Sequence, residues 1–196
     1  AGATTAVVTG SGTTYNVAVS GMTGTGTVIA SIPAGVATYA LGNTNAASTS
    51  TDNTVTFDNT ALAVTINQAA AQADPTRLTP INFTVVFSKA VTGFTSVDVV
   101  LSGTAGATTA TITGSGTTYN VAVSGMGGSG TVIATIPANA AVDASGNGNI
   151  ASTSTDNTVT YDITVPTVTI NQAATQADPT NASPINFTVV FSEPVT

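Results

Sequence analysis

Ser154–Gln172 reads STDNTVTYDITVPTVTINQ, and Ser50–Gln68, 104 residues earlier, reads STDNTVTFDNTALAVTINQ. Each copy contains a short strand pattern, an aspartate, a connector and a second strand pattern. One strand that ends and another that begins within so few residues indicate the joint between two consecutive domains. The stretch therefore predicts a string of similar modules, whose function depends on length, stiffness and surface more than on a pocket.

The joint belongs to a long internal repeat. Residues 1–92 align with residues 105–196 without a gap, and 69 of these 92 positions are identical. Self-similarity at a fixed period indicates a repeat architecture, and identity this high indicates recent duplication. We expect one complete repeat at 61–164, the C-terminal part of a preceding repeat at 1–60 and the N-terminal part of a following repeat at 165–196.

The complete repeat is predicted to contain seven strands, because apolar and polar residues alternate between turn residues. The predicted strands are Val64–Gln68, Ile81–Phe87, Val97–Leu101, Thr108–Thr113, Thr117–Val123, Thr131–Ile136 and Asn157–Tyr161. The Gly-Ser-Gly sequence at 114–116 predicts a hairpin turn. The inward residues of two such sheets, with Val97, Val99 and Leu101 among them, would form one core.

The flanking segments are each predicted to hold part of a repeat, with the last four strands in 1–60 and the first two in 165–196. Two explanations are open. The chain is a slice of a longer array, or the incomplete sheets are completed by strands from neighbouring molecules. An exposed sheet edge left without either partner would tend to aggregate.

Charge and residue content exclude several classes of function. Two basic residues stand against nine acidic ones, so no cationic surface exists to bind nucleic acid. No apolar stretch is long enough to insert into a membrane. Without histidine or cysteine a Ser–His or Cys–His relay is impossible, and the acidic residues are scattered. We therefore expect no enzyme activity, no nucleic-acid partner and no direct membrane insertion.

Calcium is the one cofactor candidate, although no cofactor is expected to be required. An up-and-down order of strands would gather aspartates at the two joints. The candidate metal ligands are Asp58, Asp98 and Asp143 at one joint, and Asp74 and Asp162 at the other. Carboxylate and carbonyl oxygens suit calcium, which takes six to eight oxygen ligands.

A second interpretation of these aspartates needs no metal. Tyr39 stands where Asp143 stands in the other copy, so a calcium site that uses Asp143 would not recur in every repeat. Aspartates in turns commonly hydrogen-bond to the backbone two residues further on. They would then shape the turns and keep the surface soluble.

Four stretches together resemble the bacterial immunoglobulin-like (Big-type) repeats of large secreted surface proteins and adhesins. They are FSKAVTGFTSVDVVLSG (87–103), TITGSGTTYNVAVSG (111–125), AVDASGNGN (141–149) and TVTYDITVPTVTI (158–170). The resemblance implies an all-β fold of tandem immunoglobulin-like β-sandwiches, with about seven strands in each 104-residue repeat. It also implies a secreted, extracellular or cell-surface location, and a role as a stalk, matrix fibre or filament whose partners are other repeats.

The alternative function is an adhesin module that binds cell-surface glycans through its loops. The loops Pro137–Asn149 and Ala69–Pro80 would carry such a site. Exposed aromatic side chains suited to sugar rings are scarce, since the chain has no tryptophan and only Tyr39 falls in such a loop. The low charged fraction of 6% favours the structural role, because weakly charged surfaces repel one another little.

Overall fold

The computed structural model describes all residues, 1–196, and the chain consists of β-strands, turns and one 3₁₀ helix at Ser96–Asp98. The all-β prediction is confirmed. The strands are β1 (Thr5–Ser11), β2 (Thr14–Ser20), β3 (Gly26–Ile29), β4 (Thr54–Phe57), β5 (Val64–Gln68), β6 (Ile81–Phe87), β7 (Val91–Thr92), β8 (Val100–Ser102), β9 (Thr109–Ser115), β10 (Thr118–Ser124), β11 (Gly130–Thr135), β12 (Val142–Asp143), β13 (Thr158–Tyr161), β14 (Val168–Gln172) and β15 (Phe187–Phe191). None of the structure's helical segments has the length and apolar character needed to cross a membrane.

Residues 61–164 contain two sheets that share one core. One sheet has the strand order β5-β6-β10-β9 and the other β13-β11-β8, with all neighbours antiparallel. In β6 the odd positions from Ile81 to Phe87 are buried and the even positions face outward, as period-2 alternation predicts. The inner faces of both sheets contribute to a single cluster of 21 buried residues.

Three aromatic rings close one end of this core. Phe87, Phe94 and Tyr119 contact one another edge to face, with ring centroids 5.2 to 5.9 Å apart. This geometry places the positive edge of one ring on the negative face of the next. The Tyr119 hydroxyl donates a hydrogen bond to the carbonyl of Val91 at 3.4 Å. The trio therefore ties β6 and β10 to the segment that follows β7.

The predicted strand Val97–Leu101 is wrong in its first half. Ser96–Asp98 forms a 3₁₀ turn, and β8 begins at Val100. The Asp98 carboxylate accepts hydrogen bonds from the Thr95 backbone N–H at 2.7 Å and from the Thr95 hydroxyl at 2.8 Å, which closes the turn. As a result Val97 is 90% exposed, while Val99 remains in the core.

The hairpin between β9 and β10 is confirmed, but its turn lies later than predicted. Ser115 pairs with Thr118, so Gly116 and Thr117 are the two turn residues. Gly116 has a φ of +70°, the left-handed conformation that such a turn requires at its first position. The short ladder between β7 and β12 was not predicted, because two-residue strands carry no periodicity.

The flanking segments form the same ladders as their copies, but each segment lacks some strands of the complete repeat. β1 pairs with β2, β3 with β4 and β14 with β15. Val121 and Phe83 are fully buried in the complete repeat, whereas the equivalent Val17 is 43% and Phe187 60% exposed. The same residues therefore form a core only where all the strands of a repeat are present.

Candidate functional site

The joint between residues 1–60 and 61–164 is held by a three-residue ion bridge. The Lys89 ammonium Nζ lies 2.7 Å from Oδ2 of Asp58 and 2.9 Å from Oδ2 of Asp143. Asp58 belongs to the preceding segment, whereas Lys89 and Asp143 belong to the complete repeat. The Asp143 side chain is only 3% exposed, so its charge depends on this partner more than a surface carboxylate would.

Local turns hold the two carboxylates in place. Asp58 follows β4, and its Oδ1 accepts the Thr60 N–H at 2.9 Å, which leaves Oδ2 free for Lys89. Oδ1 of Asp143 accepts the Ser145 and Asn147 N–H groups at 2.9 and 3.0 Å. The Asn147 side-chain amide donates to the Asp58 carbonyl at 3.2 Å and to Asp143 Oδ2 at 3.1 Å. The turn at 143–147 therefore contacts the preceding segment directly through the Asn147 amide.

The bridge changes the pKa of all three charged groups. The hydrogen bond from Lys89 lowers the pKa of Asp58 far below its usual 3.8. The hydrogen bond from the same ammonium also lowers the pKa of Asp143. Burial raises that pKa, but Lys89 together with Asn147 outweighs it, and the pKa falls from 3.8 to about 2. The two carboxylates, of which Asp58 has the larger effect, raise the pKa of Lys89 above its usual 10.5. All three groups are therefore charged across the neutral range.

The second joint, after residue 164, has the turn but not the bridge. Oδ1 of Asp162 accepts the Thr164 N–H at 2.8 Å and the Ser129 hydroxyl at 3.1 Å. The Thr164 side chain, followed by these two donors, lowers the pKa of Asp162. Glu193 stands in the position equivalent to Lys89. The aspartate that ends each repeat is therefore a turn residue first, and an ion-bridge partner only where the next repeat supplies a cation.

The candidate calcium ligands do not gather into groups of three. Asp58 and Asp143 meet at the predicted joint, but through Lys89, while Asp98 caps its own 3₁₀ turn. At the other end Asp74 accepts the Thr160 N–H at 2.9 Å, and Asp162 holds its own turn. No three acidic side chains of the chain are placed to share a metal ion. The carboxylate clusters expected at the two joints are therefore not formed, and calcium binding stays a prediction.

Asn149 organises the loop that presents Asp143. Its side chain is buried, with Oδ1 accepting the Ala141 N–H at 2.8 Å and Nδ2 donating to the carbonyls of Pro137 and Ile150 at 2.8 Å each. Asn45 makes the equivalent three bonds in the first copy. The amide is therefore committed to the backbone, which explains why both copies have asparagine here.

The first and last parts of the complete repeat lie side by side and parallel. Isolated parallel bridges join Leu62 to Asn149, Thr65 to Thr153 and Thr76 to Tyr161. Six backbone hydrogen bonds of 2.6 to 3.3 Å run between residues 62–76 and 150–162. Because these segments are parallel, the chain enters the repeat at one end and leaves it at the other. We call this contact the parallel edge.

Asn67 reinforces the parallel edge. Its Oδ1 accepts hydrogen bonds from the Ser154 hydroxyl at 3.1 Å and from the N–H groups of Thr155 and Asp156 at 2.9 and 3.1 Å. A single side chain in β5 thus holds the turn that leads into β13. Neither Asn67 nor Lys89 was predicted as a functional residue.

A signal for Lys89 was present in the comparison of the two copies. Lys89 and Asp143 both differ from their equivalents, which are Glu193 and Tyr39. Two charged residues that both change between near-identical copies are candidates for an ion pair. Asn67 gave no such signal, because its equivalent Asn171 is identical.

A scan against protein-family models and searches of curated proteins and of solved structures returned no match. The functional conclusion therefore depends on the chain's own geometry. Two features bear on it: the ion bridge at the joint and the parallel edge.

Replacing Lys89 with methionine should loosen the joint. Asp143 would lose its cation while it stays buried, so its pKa should rise and hydrogen exchange should quicken at residues 58–60 and 143–147. NMR titration of the Asp143 carboxyl and amide exchange measure both effects. Arg77→Met is the matched control, because Arg77 is the only other basic residue and forms no ion pair. Equal effects of both changes would contradict the bridge.

Acid should release the same joint in the wild-type chain. Since folding lowers the pKa of both aspartates, their stabilisation is fully present above about 4 and is lost as the pH falls through the folded values, about 2 for Asp143. Because the pKa of Lys89 is raised, the stabilisation that its charge provides is lost only as the pH rises above 10.5. Protection factors at residues 58–60, which correct for the pH-dependent intrinsic exchange rate, should therefore be constant from pH 5 to 9 and fall below about pH 4. Release near pH 6 would contradict the assignment.

Proposed function

We propose that this protein is a structural, non-enzymatic, secreted repeat protein. Immunoglobulin-like sandwiches join end to end in it and form a surface stalk, matrix fibre or filament. Its partners are neighbouring repeats and further copies of the chain, and it acts outside the cell. The observation that carries this proposal is the parallel edge of residues 61–164, which places the entry and exit of the repeat at opposite ends.

The strand order supports the immunoglobulin-like part of the proposal. Without the two-residue strands β7 and β12, seven strands remain in residues 61–164. The first, second, fifth and fourth strands form one sheet, and the third, sixth and seventh form the other. Seven-strand immunoglobulin-like domains have this division of strands between their two sheets.

The parallel edge also supports a role under tension. Force applied through the two ends of the repeat would pull β5 and the segment before β13 in opposite directions along their length. The six backbone hydrogen bonds between residues 62–76 and 150–162 would be strained together in shear rather than broken one after another. Since each bond resists only weakly by itself, simultaneous strain makes the repeat resist extension more than a hairpin pulled open from one end.

Solution scattering on a series of chains tests the end-to-end arrangement. The chain 1–196 would be compared with chains extended by one, two and four further copies of residues 61–164. The maximum dimension should rise linearly with the number of copies, because each repeat adds its full length. Growth close to the cube root of the residue number, as in a compact domain, would contradict the proposal.

One observation favours glycan binding as a second candidate function. Tyr39 is 55% exposed in the loop of the first copy, and its hydroxyl accepts a hydrogen bond from the Asn43 amide at 2.8 Å. A fixed and exposed aromatic ring is suited to stack on a sugar. A glycan array probed with the chain and with Tyr39→Ala tests this, and binding that Tyr39→Ala abolishes would favour the adhesin. An array without hits would dismiss it.

A further inference from the structure

An apolar groove lies open between the two ladders of residues 1–60. Its volume is about 330 Å³, and most of its lining is apolar: Val17, Val19, Val28, Val55 and Phe57. The equivalent positions in the complete repeat belong to the core: Val121, Val123, Val132, Val159 and Tyr161. The groove therefore has the shape and chemistry of a core from which one face is missing.

The structure also contains the element that covers this face elsewhere. In the complete repeat β6 pairs with β10, and Phe83 lies opposite Val121. The sequences VTINQ of β5 and INFTVVF of β6 recur unchanged at 168–172 and 185–191. The recurring copies are unpartnered on their apolar side, since Ile170 is 64% exposed where Ile66 is fully buried.

We infer that the β14–β15 hairpin of one chain docks in the groove of residues 1–60 of a second copy. By equivalence with the β6–β10 ladder, β15 would pair with the free edge of β2, with Phe187 opposite Val17 and Val189 opposite Tyr15. Neither strand carries a charged residue, so no like-charge repulsion opposes the approach. Adding a strand to an exposed edge in this way is an established mode of protein recognition.

Docking would form a core from two chains, which we call the composite core. It would lack one segment that the core of the complete repeat contains. Residues 93–104, which contribute Phe94 and Val99 to the core, have no equivalent in 1–60 or 165–196. Docking should therefore be reversible and depend on concentration. Because the groove and the hairpin are different surfaces, each docked chain still offers one of each, and association continues into a linear assembly. The inference shares with the proposed function the premise that the repeat folds as one two-layered unit.

Sedimentation of the full chain over a hundredfold range of concentration tests the docking. The wild-type chain should associate, and Phe187→Asp should abolish association by placing a charge in the composite core. Val190→Asp is the matched control, because its equivalent Val86 faces outward in the complete repeat and is 43% exposed there. Association of Val190→Asp should be unchanged. A monomeric wild-type chain, or equal loss in both variants, would overturn the inference.

Mixing two defective chains separates docking from misfolding. Phe187→Asp keeps an intact groove and Val17→Asp keeps an intact hairpin, so the mixture should form a one-to-one dimer although neither chain associates alone. Absence of that dimer would overturn the inference. Circular dichroism of each variant reports whether the complete repeat is still folded. If the chain proves monomeric, the docking is overturned but the linear rise in the scattering series is still expected, because the repeats in that series are joined covalently.

Discussion

Replacing Phe83 with alanine should lower the free energy of unfolding of the complete repeat by about 3–5 kcal/mol. The side chain is fully buried at the centre of β6, opposite Val121, and the sheet around it cannot collapse into the space left behind. Denaturant unfolding followed by near-ultraviolet circular dichroism measures the loss. A change this large approaches the total stability of many domains of this size.

The chain supplies its own control for this substitution. Phe187 lies in the identical sequence INFTVVF but is 60% exposed, so Phe187→Ala should change stability by no more than about 0.5 kcal/mol. The comparison is made at low concentration, where the chain is monomeric. Equal losses from both substitutions would contradict the assignment of 61–164 as the complete repeat.

Replacing Asn149 with alanine should have the second-largest effect. It leaves the Ala141 N–H and the carbonyls of Pro137 and Ile150 without their partner in a buried loop. Each buried polar group left unpaired costs about 1–3 kcal/mol, so the loop that carries Asp143 should detach before the strands unfold. Hydrogen exchange at residues 138–149, followed with denaturant, measures this order of events.

Asn45→Ala is the control for Asn149→Ala. Asn45 makes the same three hydrogen bonds, but it lies in the first copy, outside the complete repeat. Its replacement should leave the unfolding of residues 61–164 unchanged. A shift of that transition by Asn45→Ala would mean that the first copy and the complete repeat unfold as one unit.

Most of the strands could be predicted from the sequence because one face of each is buried. In β5 and β6 the alternation of apolar and polar residues fixes both the bounds and the inward face, and the structure has both strands as predicted. Val97 and Val99 alternate in the same way, yet Val97 points to solvent. The difference comes from the Thr95–Asp98 pair, whose capping hydrogen bonds outweigh a two-residue apolar pattern.

The joint could be predicted in part. The position of Asp58 and Asp143 at one end of the repeat follows from strand order, and the structure brings them together. The cation between them did not follow from strand order, because Glu193 stands at the position equivalent to Lys89 and the lysine is therefore not part of the repeating pattern. The parallel edge could not be predicted, since bridges of one residue leave no periodic pattern in a sequence.

Mechanical extension of a single chain, held at residues 1 and 196, tests the central claim most directly. We predict one cooperative event that releases the complete repeat. The gain in length should be about 350 Å of extended chain, at roughly 3.3–3.6 Å per residue, minus the length of the folded repeat. Asn67→Ala should lower the force of that event, because it removes the side chain that fastens the parallel edge, whereas Asn171→Ala should not. Gradual extension without such an event, or equal forces in wild type and Asn67→Ala, would contradict the account.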